Sequence, residues 1–169
     1  MDGPTQPPHT VELETLIERP SVRMCQWRSV VVQAWSGEPL PNDQELVREV
    51  FESIIAASPD GFHNLGLIRL AQLPGSPAAD VRARSRWQMA RLDPHTHASA
   101  LVIDVPSPWG RSVRAFMRAL MLLNKIQTPT RIYAETEPAL SWIYAEGKPD
   151  AAMLAERDAF LAALHEWWV

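Results

Sequence analysis

What this chain lacks narrows its class before any motif is read. It has one cysteine, Cys25, so no intrachain disulfide can form and a reducing compartment is the expected home. Glycine is scarce, seven in 169 residues, and neither G-x-G-x-x-G nor G-x-x-x-x-G-K-[ST] occurs. The dinucleotide and P-loop readings therefore lack their defining loops. G-x-S-x-G is absent too, and Cys25 sits inside an apolar run, which leaves no exposed elbow for a nucleophile. No apolar stretch reaches the roughly 20 residues that span a bilayer. The opening MDGPTQPPHT has no basic start and no apolar run, and it does not read as a signal peptide. A cytoplasmic protein is expected. A sequence pI near 5.7 argues against nucleic acid as a partner.

What is present suits one domain with a sizeable core: 46% of residues are hydrophobic and 21% charged. The net charge of −4 is unevenly placed. Residues 1–60 carry −6, residues 61–131 carry +7 and the remainder −5. A basic middle between acidic ends means either an anionic partner or blocks that neutralise each other in the fold.

The order of elements follows from hydrophobic period and turn residues. Residues 1–10, with three prolines, read as a flexible lead-in. The run 22–35, VRMCQWRSVVVQAW, is one strand or two meeting near Arg28, with residues 11–19 a further strand or a short helix. Asn42 or Asp43 caps a helix whose Leu46, Val47, Val50, Phe51, Ile54 and Ile55 share one face. A strand over 62–73 follows, then a helix opened by Ser76 and Pro77 that runs to Leu92. SALVIDV (99–105) has the near-continuous apolar character of a central strand. A helix from Trp109, a short strand at 130–134, a helix ending at Gly147 and a last helix over 150–169 complete the chain. Strands alternating with helices predict a single α/β domain over 11–169: a four- to five-stranded, mostly parallel mixed sheet with flanking helices.

Residues 78–143 carry a resemblance. ARSRWQMARL, then ASALVIDVPSPWGRSVRAFMRALMLLNKIQTPTRIYAETEPALSWI, is similar to the SpoIIAA-like branch of the STAS superfamily. The match covers about half of the chain well and the N-terminal third by topology only. It consists of packing residues, so it implies the fold more firmly than a role. The resemblance implies a small regulatory domain that works by binding another protein, without catalysis. Because related domains are grouped with lipid-binding folds, it also allows a small anionic or lipid-like ligand. The phosphorylated members carry an Asp-Ser pair where this chain reads Leu73-Pro74-Gly75-Ser76-Pro77. Ser76 is then the possible phosphoacceptor position, but without the aspartate it reads better as a helix cap.

Three constellations remain. Asp93, His95 and His97 could share a metal, but no further ligand can be placed, so no metal and no cofactor is expected. Arg111, Arg114 and Arg118 fall on one face of the helix that Trp109 begins, opposite Phe116 and Met117. With Trp109 they are the expected partner- or anion-binding residues, with Arg82, Arg86 and Arg91 joining them if the two helices are neighbours. The last helix carries a wide apolar stripe, with Leu154, Leu161 and Trp168 at sevenfold spacing beside Met153, Phe160 and Trp167. It must pack on its own domain or on a second copy. Phe160, Leu164, Trp167 and Trp168 are the expected self-association residues of a homodimer.

Overall fold

A computed structural model describes residues 11–37, 39–69, 79–105, 109–123 and 126–168. Strand β1 (Glu14–Glu18) pairs antiparallel with β2 (Val22–Trp27), which turns back at Arg28 and Ser29 into β3 (Val30–Trp35). Arg28 has φ 51°, the left-handed geometry that a two-residue hairpin turn demands. The run 22–35 is therefore two strands, and with β1 they bring the sheet to six, one more than the four or five expected. Next come α1 (Pro41–Ala57), β4 (Phe62–Arg69), α2 (Ala79–Leu92), a 3-10 turn (Asp93–His95) and β5 (Thr96–Asp104). Helix α3 (Trp109–Leu123), β6 (Thr130–Tyr133), α4 (Thr136–Glu146), α5 (Ala151–Ala155) and α6 (Arg157–Trp168) close the chain.

The sheet order is β1-β2-β3-β4-β5-β6, and the last four strands are parallel. Each parallel step moves one strand in the same direction. Right-handed crossovers then set α1, α2 and α3 on a single face. The register agrees. Val31 and Phe62 pack with Val47, Phe51 and Ile54 of α1, while Ile103 and Ile132 on the same face meet Val113, Met117 and Met121 of α3. That rule leaves the opposite face bare unless something later in the chain covers it. The C-terminal helices do so: Leu140 and Ile143 of α4, Met153 of α5 and Phe160 and Leu164 of α6 pack on Trp27, Val32, Leu65, Ala100 and Val102. Trp27 stacks on Phe160 with centroids 4.4 Å apart.

This packing corrects several expectations. The last helix is two, α5 and α6, interrupted at Glu156. Phe160 and Leu164, expected at a dimer interface, are 0% and 1% exposed within their own chain and cannot face a second copy without undocking. Trp167 and Trp168 are half-buried at the edge of the same core, with Arg23 and Arg69 over their rings. Leu154 points outward, because the inward stripe runs through Met153, Phe160 and Leu164. Helix α1 begins at Pro41 without a side-chain cap, and Asp43 instead accepts a hydrogen bond from the Ser21 hydroxyl. Trp87 lies exposed on α2.

Candidate functional site

Helix α3 lies over β5 and β6, and β6 is the end of the sheet. Arg114 and Arg118 each follow an apolar contact residue, Val113 or Met117, by one position, about 100° around the helix. They therefore flank the buried stripe of α3 and do not stand opposite it. Their guanidinium groups reach down to the strands: Arg114 donates to the Ile103 carbonyl at 3.2 Å and Arg118 to the Ile132 carbonyl at 3.0 Å. Arg111 is exposed one turn earlier. Arg131, on β6, lies over the ring of Trp142 at 5.4 Å. Between α3 and β6 opens a cleft of about 720 Å³. Arg114, Arg118 and Met121 form one wall, residues 130–134 the other, and Ile126 and Thr128 the end.

The charge on this side is not neutralised. Among the described residues, no carboxylate lies within ion-pair distance of Arg111, Arg114, Arg118 or Arg131. The arginines of α2 are in a different position. That helix packs on α1, and Arg84 pairs with Glu45 and Arg91 with Glu52. So Arg84 and Arg91 of the basic middle are taken up by the acidic first block. The side chain of Trp109, the whole of Ser76 and the segment 1–10 lie outside the described residues.

The other sequence candidates serve the fold. Asp93 accepts from the backbone N–H groups of Gln127 and Thr128 at 3.0 and 2.7 Å, which ties the entry of β5 to the entry of β6. Burial raises its carboxyl, but these bonds outweigh it and hold the group below the usual aspartate range. His95 turns to Arg91 at 3.3 Å. Among the described residues, no group of three His, Cys, Asp or Glu side chains is placed to hold a metal.

Two polar constellations were not singled out from the sequence. On the turn before β3, the Ser29 hydroxyl stands 3.2 Å from His63 Nδ1, while His63 Nε2 stands 2.8 Å from the Gly147 carbonyl. A serine and an imidazole at this distance resemble a nucleophile and its base. However, both ring nitrogens are engaged, the ring is 3% exposed, and Ser29 is also 3.2 Å from Met153 Sδ. The group locks the β2–β3 turn and β4 to the end of α4. Gly147 is required there, since a Cβ would sit 2.3 Å from the His63 ring. On the α1–α3 face, Gln33, Asn64 and Ser99 lie on adjacent central strands, linked at 3.4 and 3.0 Å, with Gln88 of α2 at 3.5 Å. The available signal was polar residues interrupting three otherwise apolar runs. No nucleophile–base pair arises from these neutral groups.

No protein-family model matches the sequence, and no curated protein matches it. Among solved structures, the fold is similar to that of an uncharacterized protein from the DUF3478 family, from Shewanella loihica PV-4, described as having a SpoIIAA-like fold. The TM-score is 0.53 at 14% identity, covering 83% of this chain and 98% of that one. Among the described residues, no helix is long and apolar enough to cross a membrane. At this identity the likeness speaks to architecture alone, and the architecture of this chain is SpoIIAA-like.

Proposed function

We propose that this chain is a regulatory protein-interaction domain without catalytic activity of its own, and that it meets an acidic partner through the α3–β6 side. One observation carries the reading. Arg111, Arg114, Arg118 and Arg131 come from two elements to one side of the molecule, beside an open cleft, with no carboxylate partner among the described residues. Unpaired guanidiniums beside a groove favour an anionic surface, since each retains donors in a planar fork suited to carboxylates. The apolar stripe of α6 offers no competing interface, because its main residues are spent on the core.

The test is recovery of partners from native extract by the full chain and by an Arg111→Glu, Arg114→Glu variant. The expected result is a protein recovered by the wild type, lost at high salt, and lost by the variant while its melting temperature holds. Recovery of the same proteins by the variant would overturn the reading. A second reading, a small anionic or lipid-like ligand in the same cleft, has its own support: Met121, Ile126 and Ile132 give the groove apolar lining beside the arginines. Native mass spectrometry of the purified chain tests it, and a bare mass with no adduct would count against it.

A further inference from the structure

We infer that the open edge of β6 is a docking strand, to which an extended acidic segment of another protein adds as the next strand of the sheet. This docking rests on the partner-binding reading above and states how that partner is held.

The backbone comes first. Strand β6 ends the sheet, so among the described residues one of its sides has no neighbouring strand. The Ser99 N–H donates to the Pro129 carbonyl at 2.9 Å. In a parallel ladder the polar groups of alternate residues turn to the same side. Those of 129, 131 and 133 therefore face β5, and those of Thr130 and Ile132 face outward. Arg118 agrees with this assignment, because its guanidinium caps the Ile132 carbonyl. That cap is exchangeable: an incoming N–H can take the carbonyl and release the arginine to the incoming segment.

The shape of the cleft points the same way. It is lined by consecutive residues 130–134. Neighbours along a strand aim their side chains at opposite faces. A groove touching all of them runs along the backbone edge, where an added strand would lie.

Charge selects the occupant. Arg114 and Arg118 stand on one wall and Arg131 on the other, and among the described residues no carboxylate lines the cleft. A second copy of this chain would bring Arg118 and Arg131 against their own counterparts across a twofold axis. Charged edges of this kind resist self-pairing. An acidic segment meets no such repulsion, and its carboxylates reach the arginines while its backbone reaches Thr130 and Ile132.

The experiment titrates the full chain with a short, terminally blocked peptide of alternating glutamate and valine, followed by amide NMR. Binding should shift the Thr130 and Ile132 amides, slow exchange at Ile132, and weaken as salt is raised. Methylating alternate peptide nitrogens removes one row of backbone donors, and should weaken binding about tenfold or more. Arg131→Glu, at an exposed position, should weaken it about tenfold with the melting temperature unchanged. Arg118→Glu gives a second, independent variant. No shift at Thr130 and Ile132 would overturn the inference. So would equal binding of the methylated peptide, or dimerisation through β6 in sedimentation. Partner loss in the Arg111, Arg114 variant without peptide binding would remove the docking strand and leave the regulatory reading standing; peptide binding without partner loss would do the reverse.

Discussion

His63 is the residue whose protonation the fold opposes most clearly. Burial pushes its imidazole below the ordinary value of 6.5 and His97, 5.3 Å away, adds to this, while the Gly147 carbonyl, Ser29 and Asp150 pull against them. The sign follows. Above about pH 6.5 the ring is neutral in both states; below it the unfolded chain takes up the proton first, so stability falls with pH until the folded pKa is passed. Denaturant unfolding at stepped pH should show this slope in the wild type and a shallower one in His63→Gln. Equal slopes would assign the loss to other groups. Cys25, fully buried in β2, has its thiol pushed up to about 12 by burial, with Arg23 opposing. A neutral, enclosed thiol does not react, so the native protein should resist iodoacetamide and label only on unfolding. Rapid labelling of folded protein would show that β2 opens locally. Cys25 was legible from its apolar run, whereas His63 was not, since nothing near position 63 announces Ser29 or Gly147.

At the scale of elements, α6 closes the face that the crossover helices cannot reach. Phe160 is fully buried against Trp27, and truncating a buried phenylalanine costs about 3–5 kcal/mol. Phe160→Ala should lower the denaturation midpoint by a corresponding amount, whereas Leu154→Ala, at an exposed position, should leave it nearly unchanged. Equal effects would mean that the inward stripe has been misassigned. Removing residues 150–169 strips Met153, Phe160 and Leu164 together, and bares apolar sheet; aggregation or a lower melting temperature is expected. A truncated chain of unchanged stability and oligomeric state would deny the helix its role. The sequence showed that this stripe had to be buried, because its apolar width is intrinsic to the helix. It did not show which of two neighbouring rows turned inward, since a sevenfold repeat drawn through Leu154 and one through Met153 differ by a single position.

For the whole molecule, sheet order sets a gradient of protection. Strands β3, β4 and β5 are paired on both sides and covered by the two core layers, while β6 is paired on one. Native-state hydrogen exchange should follow that order, slowest at Val32, Leu65 and Ala100 and fast at the outward amides of Thr130 and Ile132. Uniform protection across β6 would mean that something already pairs its edge. Charge also resolves at this scale. The basic middle of the sequence divides, with Arg84 and Arg91 neutralised by α1 and the α3–β6 arginines left over.

Hydrophobic period and turn residues determined the α/β class, the helix that begins at Trp109, the central strand near 99–104 and the need to bury the last helix. These are local properties, written within a few residues of one another. Tertiary structure alone decided what depends on long-range pairing. The hairpin at Arg28 makes two strands of one run, and the one-directional strand order places α1, α2 and α3 on a single face. The arginine face shows the division most plainly. Its spacing on one helix was readable, but its meeting with Arg131 was not, because a parallel neighbour is reached only through a crossover and no local pattern records which edge stays open.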